Sequence, residues 1–194
     1  MIKKFGDYSS TKAYGDYQTL PKGGYVIKIL GVETARNSRG DYLIISCDIA
    51  EGDYKSFFAE RYREQTGEDK KWGCNYFLGI PNDDGTEQDG WTKRSFKTFT
   101  EALEDSNSGY HFDWDETKFK GKLVGGLFNE REYTKKDGTT GRATNLASFT
   151  SVEKIRSGKF ALPKDKLISG GSAPANSPTS GFTEVEDSVD DLPF

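Results

Sequence analysis

A mainly β fold is predicted by three observations. The chain is rich in aromatic residues and glycine, with 13 Phe, 10 Tyr, 3 Trp and 22 Gly among 194 residues, a composition that suits pleated, half-buried surfaces. Runs of β-branched and aromatic residues recur, each closed by a Gly, Asn, Asp or Pro cluster. Only one segment carries a helical period of useful length.

The elements follow in order. Pro21-Lys22-Gly23-Gly24 is a turn that opens into the strand YVIKILGV, Tyr25 to Val32. Asn37-Ser38-Arg39-Gly40 turns the chain back into YLIISCDIA, Tyr42 to Ala50, so the two runs form an antiparallel hairpin. After Glu51-Gly52-Asp53, the segment Tyr54 to Arg63 fits a strand or a short helix. CNYFLGI, Cys74 to Ile80, is a third strand, stopped by Pro81. In TKRSFKTFTEALEDS, Phe96, Phe99 and Leu103 recur at i, i+3 and i+7 behind Thr92 as N-cap, which predicts a helix. Lys122 to Tyr133 and Arg142 to Thr150 flank KKDGTTG and form a long hairpin. Gly125-Gly126 inside it suggests a bulge or bend of the kind that curves a sheet into a barrel. Five or six strands, one inserted helix and one long hairpin describe an OB-like Greek-key barrel. An immunoglobulin-like sandwich is the competing arrangement.

The composition changes near residue 169. All 27 Lys and Arg lie in residues 1–168 with 26 of the 31 acids, whereas residues 169–194 carry five acids and no base. Net charge is −4 overall, but +1 on the body. The expected organisation is a folded domain over 1–168, a flexible Gly/Ser/Pro linker over 169–186 and an acidic tip over 187–194. No apolar run approaches the ~18 residues of a membrane span, and MIKKFGDYSS lacks the apolar stretch of a signal peptide. Cys47 and Cys74 show no metal-ligand spacing, and Cys47 sits in an apolar strand as a buried free thiol. A cytoplasmic location fits this usage.

AERYREQTGEDKKWGCNYF interleaves Arg61, Tyr62, Arg63, Lys70, Lys71, Trp72, Tyr76 and Phe77. Single-stranded nucleic acid asks for this mixture: cations neutralise phosphates, and flat rings stack on bases free of a partner strand. The plainer reading puts the rings in the core and the charges on a solvated face. Arg36 and Arg39 stand on the first hairpin, with Lys28 on the strand leading into it. Lys135, Lys136 and Arg142 stand on the second, and the two hairpins are placed to hold a strand from either side. Enzyme readings have little to use. His111 has no nucleophile beside it, and no phosphate loop occurs. Asp41, Asp53 and Lys55 give a weak nuclease-like pattern. No cofactor and no metal site are predicted.

The chain ends DSVDDLPF. Asp190, Asp191, Leu192, Pro193 and Phe194 resemble the C-terminal tip of bacterial single-stranded DNA-binding proteins, and the linker is similar in composition to theirs. LPKGGYVIKI, SCDIAEGDYK and REYTKKDGTTGRATN are similar in style to a phage family linked with replication genes. The resemblance implies a phage-type OB protein in the host cytoplasm that coats single-stranded DNA. It further implies that Phe194 enters an apolar pocket on a replication or recombination protein while Asp190 and Asp191 face a basic rim. It also admits a homo-oligomer, since members of the bacterial family often form tetramers. A phage adaptor that binds only proteins is the remaining alternative.

Overall fold

The computed structural model describes residues 18–135 and 137–168, with residues 3, 6, 8 and 9. Lys136, the linker and the tip lie outside the described residues. Five strands, β1 (Gly23–Asn37), β2 (Gly40–Ile49), β3 (Asn75–Gly79), β4 (Leu123–Thr134) and β5 (Thr140–Thr150), form one antiparallel sheet in the order β3-β2-β1-β4-β5. Among the described residues three α-helices accompany it, α1 (Phe57–Glu64), α2 (Glu87–Ser106) and the short α3 (Val152–Arg156), with a 3-10 turn at Glu116–Phe119. No described helix is long and apolar enough to cross a membrane.

The closed barrel expected from the sequence is not formed, because the edge strands β3 and β5 are not hydrogen-bonded to each other. The sheet nevertheless curls. On a flat five-stranded sheet these edges stand about 19 Å apart, at ~4.8 Å per strand, with side chains perpendicular to the plane. Here the rings of Tyr76 on β3 and Phe149 on β5 meet at 4.6 Å. Rings fill the seam where a closed barrel has a ladder, and α2 packs against β3, β4 and β5 along it.

Alternation sets the core. Ile27, Ile29, Leu43, Ile45, Cys47, Leu78, Val124 and Phe128 all turn inward and are almost fully buried. Phe99 and Leu103 of α2 join them with Phe119. Each such side chain contributes about 1.5–3 kcal/mol by leaving water. Cys47 and Cys74 are free and buried, and burial pushes the Cys47 thiol up to about 12.

The helices α1 and α2 start on signals that apolar periodicity does not see. α2 begins at Glu87, not after Thr92. The Thr86 hydroxyl accepts from Asp89 N–H at 3.1 Å, and the buried Asp89 carboxylate accepts from Asn82 and Asp83 N–H. Of the segment Tyr54 to Arg63, the part from Phe57 on is helix and Tyr54 to Ser56 is the turn before it, and the helix is capped from a distance in sequence. Ser56, at φ 62°, offers α1 no side-chain cap. The buried Asp48 carboxylate does so from β2, accepting from Ile49, Phe58 and Ala59 N–H at 2.8, 3.0 and 3.1 Å.

The first hairpin turns at Ser38-Arg39. Asn37 Oδ1 accepts from Arg39 N–H, and Gly40 sits at φ +129°, a conformation that favours glycine. The predicted bulge at Gly125-Gly126 is displaced. The register slips instead at Leu30 in β1 and at Ala147 in β5, which faces Leu127/Phe128. Gly125 gives α3 room to pack: a Cβ there would lie 2.6 Å from Ile155 Cγ1 and 2.9 Å from the Ser151 carbonyl oxygen. Gly125→Ala is therefore expected to lower unfolding free energy by about 1–3 kcal/mol, as overpacked sites do, measured by urea denaturation.

Candidate nucleic-acid interface

The outward side of β1, β2 and β3 carries an unusual set of side chains. Register places Tyr42 opposite Gly79, Ile44 opposite Phe77 and Ser46 opposite Asn75. On the other flank, Ile44 faces Glu33 and Ser46 faces Gly31. Since paired residues share a face, Tyr42, Ile44 and Phe77 form one outward row. Phe77 is 51% exposed, and its ring leans on Tyr42 at 6.0 Å. An aromatic that could have been buried by a one-residue change of register stands in water.

The bulge extends this row. Leu30 is the extra residue of β1, so Leu30 and Gly31 both come to the outer side between inward-facing Ile29 and Val32. Beyond them stand α1 and the loop that follows it. Trp72 donates its indole N–H to the Cys47 carbonyl at 2.9 Å, which fixes its edge to β2. Tyr62, on α1, packs on Trp72 with ring centroids 5.7 Å apart. Gln65 holds the loop by bonding both the N–H and the carbonyl of Lys71 at 2.8 Å. The exposed cations Arg61, Arg63, Lys70 and Lys71 are thereby grouped on one element and its loop. Arg61 lies over the Phe57 ring and Lys70 over that of Tyr62.

Other predicted positions fall elsewhere. Tyr76 turns inward onto Phe149, and burial raises its hydroxyl pKa. The exposed ring of β3 is its neighbour Phe77, because side chains alternate along a strand. Arg142 is engaged: two of its N–H groups converge on Oε1 of the buried Glu132 at 2.9 and 3.0 Å. Arg36 pairs with Asp41 at 3.0 Å, an exposed pair of small energy that a phosphate can displace. Lys28 is exposed on β1. Arg39 and Lys135 sit at the two hairpin turns. The start of β1 lies beside Phe128 and its end enters the first hairpin. The two hairpin tips therefore leave the sheet at opposite ends. Lys136 and the tip residues Asp190, Asp191, Leu192, Pro193 and Phe194 lie outside the described residues.

The nuclease-like trio does not converge. Asp41 and Asp53 flank opposite ends of β2, whose eight steps from Asp41 to Ile49 span about 27 Å. Among the described residues, no cluster of three or more His, Cys, Asp or Glu could hold a metal ion.

The sequence reading missed Tyr42, Ile44, Leu30 and Ser46. Tyr42, Ile44 and Ser46 share one parity, which is legible in YLIISC; that this parity faces outward is set by pairing with β3. No protein-family model matches the chain, and no curated protein matches it in sequence.

Proposed function

We propose that this protein binds single-stranded DNA, without sequence preference, across the outer side of β1, β2 and β3. The observation that carries the reading is the outward row Tyr42–Ile44–Phe77, half-buried at Tyr42 and Ile44 and exposed at Phe77, which runs on to Ser46, where Tyr62, Lys70 and Trp72 line the same concavity. Exposed rings supply stacking worth about 1–3 kcal/mol per base. Arg61, Arg63, Lys70 and Lys71 supply phosphate neutralisation. A duplex hides its base faces and gains only the second term.

The strand order, with α2 between β3 and β4, supports an OB-like architecture opened between β3 and β5. OB barrels are often partly open, and they bind oligonucleotides on the face of their second and third strands. Arg36 and Arg39 at one hairpin, and Lys135 with Lys136 at the other, would flank the bound strand. Asp190 to Phe194 would recruit replication or recombination proteins, with the linker as tether. The protein is read as a non-catalytic coat.

Fluorescence anisotropy of labelled oligo-dT titrated with the full chain tests this at two salt concentrations. Binding to oligo-dT is expected to exceed binding to duplex of equal length, with log affinity falling by about 0.7 per phosphate neutralised for each decade of salt. Equal affinity for duplex would remove the stacking role. No binding to either would leave the protein-only adaptor.

A further inference from the structure

Beside the outward row lies a concavity with its own construction. Leu30, Gly31, Ser46, Tyr62, Lys70 and Trp72 line a shallow, open groove of about 380 Å³. The bulge carries Leu30 to its rim, 38% exposed. Gly31 leaves its floor bare, and a Cβ there would meet no atom within 4 Å. Trp72 is a fixed wall, tied to the Cys47 carbonyl. Tyr62 is the second flat wall and keeps 37% of its surface exposed. The Lys70 ammonium lies 5.7 Å from the Tyr62 ring centroid, and its bond to the Arg63 carbonyl is long at 3.4 Å.

Flat walls, a bare floor and a weakly held cation suit a planar group that carries an anion on a short arm. An apolar side chain would gain nothing from Lys70, and a free anion would gain nothing from the rings. We infer that this groove anchors one unstacked nucleobase of the bound strand at a fixed place in the site. The inference rests on the single-stranded DNA reading proposed above. The base takes the position over the Tyr62 ring that Lys70 occupies, and the ammonium turns to the adjoining phosphate. Ser46 donates its hydroxyl proton to Asn75 Oδ1 at 2.8 Å, so its oxygen remains an acceptor for a base N–H. Every base carries an N–H on its pairing edge, so the groove anchors a strand without selecting its sequence.

An open stacking row and an anchoring groove respond differently to a missing base. Along an open row, removing any one base costs a similar amount. With an anchor, one position dominates. The test uses the full chain and the shortest labelled oligo-dT that keeps full affinity, carrying a single abasic residue moved along its length. One position is expected to weaken binding roughly ten-fold more than its neighbours, the size of a lost stack. Gly31→Leu, whose Cβ has open space at the floor, is expected to weaken the intact oligonucleotide by a similar factor and to erase the positional difference. Should that variant fail to fold by circular dichroism, Tyr62→Ala on the exposed face of α1 replaces it. A flat abasic profile overturns the anchor. So does unchanged binding by Gly31→Leu while Phe77→Ala weakens it, which leaves the stacking face standing. If the unaltered protein does not bind oligo-dT, both readings fall together.

Discussion

Asp48→Ala is expected to destabilise the protein by about 3 kcal/mol, because it strips a side-chain acceptor from three buried or half-buried N–H groups. Those of Phe58 and Ala59 open α1, where the helix dipole also favours the carboxylate. No local residue replaces it, since Ser56 makes no capping bond. The consequence reaches the candidate interface, because α1 presents Arg61, Tyr62 and Arg63. Oligo-dT affinity should therefore fall together with the urea midpoint. Asp48→Asn keeps one carbonyl acceptor and should recover part of both losses. A midpoint unchanged in Asp48→Ala would mean that packing of Phe57 and Phe58, not the cap, holds the helix.

Phe77→Ala and Tyr76→Ala should separate binding from stability. The Phe77 ring is half in water, so its loss should shift the melting temperature little. It should weaken oligo-dT binding by about 1–3 kcal/mol, or some 5- to 150-fold. Tyr76 fills the seam against Phe149. Its truncation should cost about 3 kcal/mol of stability, as large aromatic-to-alanine changes in cores do. The two positions are adjacent in sequence and opposite in effect. Equal effects of the two substitutions on stability would contradict the register given for β3.

That pair also shows how far the sequence could be read. Strands and turns were legible where apolar runs met Gly, Asn or Pro, as at Asn37–Gly40 and before Tyr25. Which face of a strand is wet was not legible, because Tyr76 and Phe77 suit either side until pairing with β2 assigns them. The α1 helix stayed ambiguous because Asp48 caps it from nine residues before its first residue. The start of α2 was missed since the residues from Glu87 to Gly90 are polar or bare, though Thr86 with Asp89 three residues on is a capping pattern. The bulge at Leu30 leaves no local mark, whereas Gly125 marks the close approach of α3 and Gly126 that of Ile27, Leu146 and Phe128. The interleaving of cations and rings at 61–72 was legible as composition. Its alignment with Tyr42 and Ile44 required the sheet.

The most direct test of the central claim is amide chemical-shift mapping of the isotope-labelled full chain titrated with oligo-dT. Shifts are expected to concentrate at Tyr42, Ile44, Ser46, Phe77 and the 61–72 segment, with smaller changes at the two hairpin tips. Shifts confined to other surfaces, such as the exposed Trp114 beside α2, or no shifts at saturating oligonucleotide, would contradict it.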